Sequence, residues 1–184
     1  EEYVDKIINH NAVNKLWFLE YPNLYTAGIS QTKKLTVNNI NNIPIYKSNR
    51  GGQITYHGPN MRICYLLYNL KNSKIGCDLK KYIFQLEECM INSLKRLNIE
   101  SFRDQINHGV WVNHNNKIKK IAAIGVRVRK WVAYHGVAVN LDQDLSFYEH
   151  IIPCGVNNSK YGVTSINELG CNISLNELDS ILYQ

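Results

Sequence analysis

The chain has 184 residues, of which 45% are hydrophobic and 20% charged; this makeup excludes wholesale disorder, and the length suits a single domain over residues 1–184 with one substantial core. Its formal net charge of +6 fits nucleic acid or an acidic protein partner equally, so charge alone selects neither. The five cysteines (Cys64, Cys77, Cys89, Cys154 and Cys171) contain no CxxC pair, which argues against a structural zinc site or a disulfide scaffold and for a reducing, cytosol-like compartment.

No run approaches the ~18 consecutive apolar residues of a spanning helix, and no cationic start followed by a long apolar stretch signals secretion. Residues 16–20 (LWFLE) form a short apolar run closed by Tyr21-Pro22-Asn23, and read as a buried strand followed by a further strand and loop. Residues 43–46 suit another strand; Arg50-Gly51-Gly52 then interrupts the pattern as a tight loop. The apolar, β-compatible run 63–70 (ICYLLYNL) places His57-Gly58-Pro59-Asn60 between two strands. The clearest helix spans 78–97, where Leu79, Ile83, Leu86, Met90, Leu94 and Leu97 recur every three or four residues and Asp78 is placed to cap the N-terminus. Beyond Gly109, Val110 and Val112 lead into an Asn113-His114-Asn115-Asn116 turn, then strands over 121–128 and 131–141, an antiparallel pattern. Residues 142–150 suit a short helix or loop before Pro153-Cys154-Gly155, and 174–182 a small terminal helix. About two dozen asparagines read as a compositional bias of the genome.

Free cysteine is ordinarily a small, inert hydrophobe. Cys64 sits in an apolar strand, Cys89 on the helix, and Cys77 and Cys171 in polar connectors. Cys154, between Pro153 and Gly155, is on a constrained turn that can expose a side chain. A thiol with a reference pKa near 8.5 needs a neighbouring base or cation to act as a nucleophile at neutral pH. Three residues can supply it: Lys120, which ends a basic run and enters an apolar strand, and His57 and His135, whose imidazoles titrate nearest neutrality. Residue chemistry does not rank them.

The combined strings RGGQITYHGP, YLLYNL, KIAAIGVRVRKWVAYHGVAVNL, IIPCGV and VTSI, with LWFLEYPNLYTAG near the start, resemble the lipoyl(octanoyl) transferase family in the same order along most of the chain. The resemblance implies an α/β (α+β) domain, with a mixed, largely antiparallel sheet flanked by helices, similar to the catalytic fold of biotin and lipoate protein ligases. It implies that Cys154 is the acyl-thioester nucleophile and Lys120 the residue that lowers its pKa. The acyl-substrate segments it implies are Arg50, Gly51, Gly52, Gln53, Ile54, Thr55, Tyr56 and His57; Ala123, Ile124 and Gly125; and Gly136, Val137 and Ala138. Two segments depart from the family pattern: Asn60-Met61-Arg62, where Gly and Gln are usual, and residues 23–26 (NLYT). Both put loop conformation in question.

The same resemblance implies octanoyl acyl carrier protein as donor, and lipoyl domains of 2-oxoacid dehydrogenase complexes and the glycine cleavage H protein as acceptors. Neither a cofactor nor a metal is expected, since the acyl group arrives activated as a thioester. Nor is a membrane or nucleic-acid partner; the protein is expected to be a monomer, cytoplasmic in a bacterium or mitochondrial or plastid in a eukaryote. Arg127, Arg129 and Lys130 are candidates for docking an acidic carrier, or simply solvated strand charges. Two other readings exist: an ATP-dependent lipoate or biotin ligase, and a noncatalytic basic module that binds nucleic acid.

Overall fold

The structure is a computed structural model that describes residues 1–32, 35–151 and 161–183. In chain order its elements are α1 (Glu2–Ile8), β1 (Lys15–Leu19), β2 (Leu24–Ala27), α2 (Ile29–Thr32), β3 (Asn39–Ile40), β4 (Ile43–Lys47), β5 (Ile54–His57), β6 (Met61–Asn69), α3 (Leu79–Lys95), β7 (Phe102–Arg103), β8 (Val110–His114), β9 (Lys117–Arg129), β10 (Val132–Asn140), a 3₁₀ turn (Leu145–His150), β11 (Tyr161–Val163) and α4 (Leu175–Tyr183).

The strands form two sheets. The larger has the order β1-β6-β10-β9-β8-β7, with β11 added alongside β9; the smaller has the order β3-β4-β2-β5. Pairing is antiparallel throughout except for β2 with β4 and β11 with β9. This is the mixed, largely antiparallel arrangement expected, divided between two sheets rather than gathered in one. α3 and α4 pack on the larger sheet, where Met90, Leu94 and Leu178 meet Val110, Val112, Ile121, Val137 and Val139. The Asp78 side chain accepts from the Lys81 backbone N–H at 2.9 Å and starts α3 where the sequence places it. Ser174 and Glu177 form a reciprocal capping box at α4. No helix among the described residues is long and apolar enough to cross a membrane.

β1 is not buried as its composition suggests. Among the described residues it is an edge strand paired only with β6, and Leu16 and Trp17 remain 39% and 50% exposed. An apolar run specifies a strand, but its place in the sheet depends on distant partners.

Asparagine has a conformational use here beyond composition. Of the ten described non-glycine residues at positive φ, six are asparagine, including both central residues of the β3–β4 and β8–β9 turns, the geometry of type I′ hairpins. Asn60, at φ 62°, takes the left-handed conformation that a glycine would adopt in its place. Nearby Arg62 is buried and pairs with Asp179 of α4 at 2.7 Å. The Asn60-Met61-Arg62 departure is therefore accommodated within the fold.

β9 is long enough to serve two neighbours in turn. Its first half pairs with β11, ending at Val163 opposite Lys120, and its second half pairs with β10, beginning at Val139 opposite Ala122. Lys120 thus sits where the two partner strands diverge.

Candidate active site

A cavity of about 500 Å³ opens over the second half of β9. Ala123, Ile124 and Gly125 lie in register opposite Ala138, Val137 and Gly136 of β10, and all six line it. Small residues leave the volume free, while Ile124, Val137 and Ile63 of β6 give it an apolar surface. Gly136 is required by geometry: its φ is 154°, and a Cβ there would stand 2.2 Å from the Cys64 carbonyl oxygen on the neighbouring strand.

The smaller sheet and its preceding loop supply the facing wall. Arg50, Gly51, Gly52, Gln53, Ile54, Thr55 and His57 reach the cavity, together with Thr26 of β2. Arg50 holds its own loop: Nε donates to Thr26 Oγ1 at 2.9 Å, and the terminal nitrogens donate to the carbonyls of Gly51, Thr26 and Gln53 at 2.9, 2.6 and 2.7 Å. Tyr56 is the exception among the eight. Strand alternation carries its ring to the other face of β5, against Tyr25, Phe147 and Tyr148, where its hydroxyl donates to Asn23 Oδ1 at 2.7 Å.

Both histidines line the cavity and both are held neutral. Burial, with a contribution from the Arg50 guanidinium, pushes His57 down to about 3 and His135 down to about 4. His57 Nε2 shares a 3.0 Å hydrogen bond with Thr26 Oγ1, while its Nδ1 and the Nε2 of His135 are buried without a hydrogen-bond partner among the described residues. His135 also takes a left-handed φ of 64° within β10, a strained conformation for a non-glycine residue. An imidazole with a conjugate acid of pKa 3–4 is a poor acceptor for a thiol proton, which is bound several units more tightly.

Lys120 is 5% exposed. Its backbone carbonyl accepts from the Thr164 N–H at 3.0 Å and from Asn140 Nδ2 at 3.4 Å. Its amine donates to the His108 carbonyl at 2.8 Å and lies 4.4 Å from the centre of the buried Trp111 ring. Lys120 lines the cavity, as does His108, whose carbonyl its amine engages. Cys154 lies outside the described residues. Among the other cysteines, burial pushes the Cys64 thiol up to about 12, Cys77 and Cys89 are exposed, and Cys171 is half-buried. No cluster of three or more metal-ligating side chains occurs among the described residues.

The sequence pointed to three lining segments and missed others: Thr26 and Ser30, Ser48, Ile63 and Tyr65 of β6, Leu79 and Ile83 of α3, and the loop of residues 106–108 between β7 and β8. The loop's signal was in α3: Glu87 interrupts the apolar stripe of Ile83, Met90 and Leu94, and a carboxylate on that face needs a partner. The candidate docking cations are partly engaged: Arg129 pairs with Asp5 of α1, Arg127 donates to the Asn49 carbonyl at 3.3 Å, and Lys130 is exposed at the β9–β10 turn.

Comparison with known proteins places this geometry among acyl-handling enzymes. The family model described as lipoyl protein ligase A/B catalytic domain matches residues 1–184. A relative named octanoyltransferase in Wolbachia pipientis is 52% identical over 184 residues, covering 99% of this chain and 86% of that protein. Among solved structures, the bi-partite lipoate protein ligase of Thermoplasma acidophilum superposes with a TM-score of 0.73 at 17% identity, covering 98% of this chain and 74% of the other. The biotin protein ligase of Aquifex aeolicus, in complex with biotin and ATP, gives 0.53 at 15% identity, covering 86% and 65%. These two share the fold.

Proposed function

Because the chain belongs to the lipoyl protein ligase A/B catalytic-domain family, we propose that it is an octanoyltransferase, carrying an octanoyl group from octanoyl acyl carrier protein to a lysine of a lipoyl domain. The observation that carries this reading is the cavity itself: an apolar channel walled by paired β9 and β10 residues, with the Lys120 amine bordering it. The seven carbons beyond the octanoyl carbonyl suit such a wall, each buried CH₂ contributing ~0.8 kcal/mol.

In the first half-reaction Lys120, as the free amine, accepts the Cys154 thiol proton. The thiolate attacks the carrier thioester, a tetrahedral oxyanion forms, and its collapse breaks the bond to the pantetheine sulfur, which leaves with the proton returned by Lys120. In the second, the acceptor lysine attacks octanoyl-Cys154, the amide C–N bond forms, and the Cys154 thiolate departs while Lys120 takes the proton lost by the amine. Two features support the dyad. β11, which begins seven positions after Cys154 in the sequence, pairs with Lys120 through Val163; and the two histidines, the competing bases by residue type, bind a proton too weakly beside Arg50 to take one from a thiol.

The test is incubation with octanoyl acyl carrier protein, followed by intact mass measurement. One octanoyl group is expected on the wild type, labile to hydroxylamine, and none on Cys154→Ala; the same labile adduct on Cys154→Ala would overturn the nucleophile assignment. Octanoylation of a lipoyl domain from free octanoate and ATP, with none from the carrier thioester, would assign ATP-dependent ligation instead.

A further inference from the structure

We infer that Glu87 is a positioning residue for Lys120, acting through a single peptide unit. The inference rests on the assignment of Lys120 as the proton acceptor of Cys154. One face of the argument is geometric. Glu87 is 5% exposed on α3, and its Oε1 accepts from the Gly109 N–H at 3.0 Å. The carbonyl of that same peptide, on His108, accepts from Lys120 Nζ at 2.8 Å. The described chain contains no cis peptide, so N–H and C=O point in opposite directions, and carboxylate and amine grip opposite edges of one rigid plane.

Electrostatics runs in the same direction. A carboxylate accepting from the N–H pulls electron density through the amide toward the carbonyl oxygen, and hydrogen bonds aligned in series in a low-dielectric interior strengthen one another. Glu87 is oriented in turn by Arg103, whose Nε lies 3.5 Å from Oε2. The rest of the loop is also fixed: Asp104 Oδ1 accepts from the N–H groups of Ile106 and Asn107, and Trp111 Nε1 donates to the Asn107 carbonyl at 2.9 Å.

Gly109 completes the device. At φ +122° it occupies a conformation that side chains rarely adopt, and a Cβ there would lie 2.7 Å from the Ala122 carbonyl oxygen and 3.2 and 3.3 Å from Lys120 Cε and Nζ. The peptide can approach the amine this closely only because the residue has no side chain.

The experiment measures the pH profile of Cys154 alkylation, with kcat and KM for octanoyl acyl carrier protein, in wild type, Lys120→Ala, Glu87→Ala, Glu87→Gln and the Glu87→Ala/Lys120→Ala pair. Thermal melts check that each variant is folded. Glu87→Ala is expected to move the profile toward that of Lys120→Ala and to lower kcat about tenfold, the size of one lost hydrogen bond, with KM little changed. Glu87→Gln, whose amide oxygen still accepts from Gly109, restores most of the loss. In the Lys120→Ala background Glu87→Ala adds nothing further. A folded Glu87→Ala with the wild-type profile, or an equal loss in both backgrounds, overturns the inference and leaves the role of Lys120 standing; an unshifted Lys120→Ala overturns that role instead. Should Glu87→Ala not fold, Glu87→Met, which keeps the volume and removes the acceptor, decides: a shifted profile supports the inference and a wild-type profile ends it.

Discussion

At one end of the cavity-lining stretch of β9, the Lys120 amine rests on a peptide carbonyl and an indole face; at the other, His135 pairs across to Val126 and lies with His57 near Arg50. Both ends bury nitrogen bases, yet the surroundings differ in kind. Lys120 meets an acceptor and a π-face, which suit the ammonium formed when the amine takes up a proton, whereas the histidines meet a fixed guanidinium and little solvent, which suit neutral rings. The contrast teaches that residue type is a weak guide to a catalytic base. Imidazole, nearest to neutrality in water, is driven out of range by its neighbours.

The largest test removes the lysine end. Lys120→Ala should lower kcat/KM for octanoyl transfer by ~10²–10⁴, the usual range for a lost general base, while leaving a folded protein. If the histidines carried the chemistry, that loss would appear in His57→Asn or His135→Asn and spare Lys120→Ala. Next, at the histidine end, Gly136→Ala forces a Cβ against the Cys64 carbonyl and should cost ~2–4 kcal/mol of stability in denaturant titration. A near-neutral result would show that β6 and β10 can separate without damage.

A pH series separates the ends further. The unfolded His57 binds its proton near 6.5 and the folded one only near 3, so its contribution is complete above pH 6.5 and is lost as pH falls from there toward 3. The slope it adds is about 1.4 kcal/mol per pH unit between those limits. His57→Asn should flatten the unfolding free energy between pH 6 and 4; an unchanged slope would place the ring in a wetter setting than its burial implies. The smallest effect belongs to Lys119, the adjacent lysine on the opposite face of β9, which pairs with Glu168 at 2.8 Å near the surface. Lys119→Ala should cost ~0.5 kcal/mol in the same titrations and leave turnover unchanged.

Much of the local structure was legible in the chain. α3 follows from a 3.6-residue apolar period behind Asp78, and the β8–β9 hairpin from the polar turn at residues 113–116, whereas the Asn41-Asn42 turn passed as composition. What escaped was non-local. Residues 16–20 read as buried because an apolar run does not disclose that its strand lies at the edge of a sheet. The eight residues 50–57 read as one segment, although strand alternation turns Tyr56 away from its neighbours. At the site, family resemblance gathered the three lining segments. The loop before β8 has no distinctive composition, and its bond to α3 becomes visible only when Glu87 is seen beneath Gly109.

The indole under Lys120 has a practical consequence. Of the three tryptophans, Trp17 and Trp131 are 50% and 41% exposed, whereas Trp111 is 1% exposed with the amine 4.4 Å from its centre. Aqueous iodide or acrylamide should therefore extinguish the emission of the first two and spare the third. What survives is a built-in optical gauge of the Lys120 nitrogen, whose colour and intensity should follow the charge on it, without a label or an added chromophore.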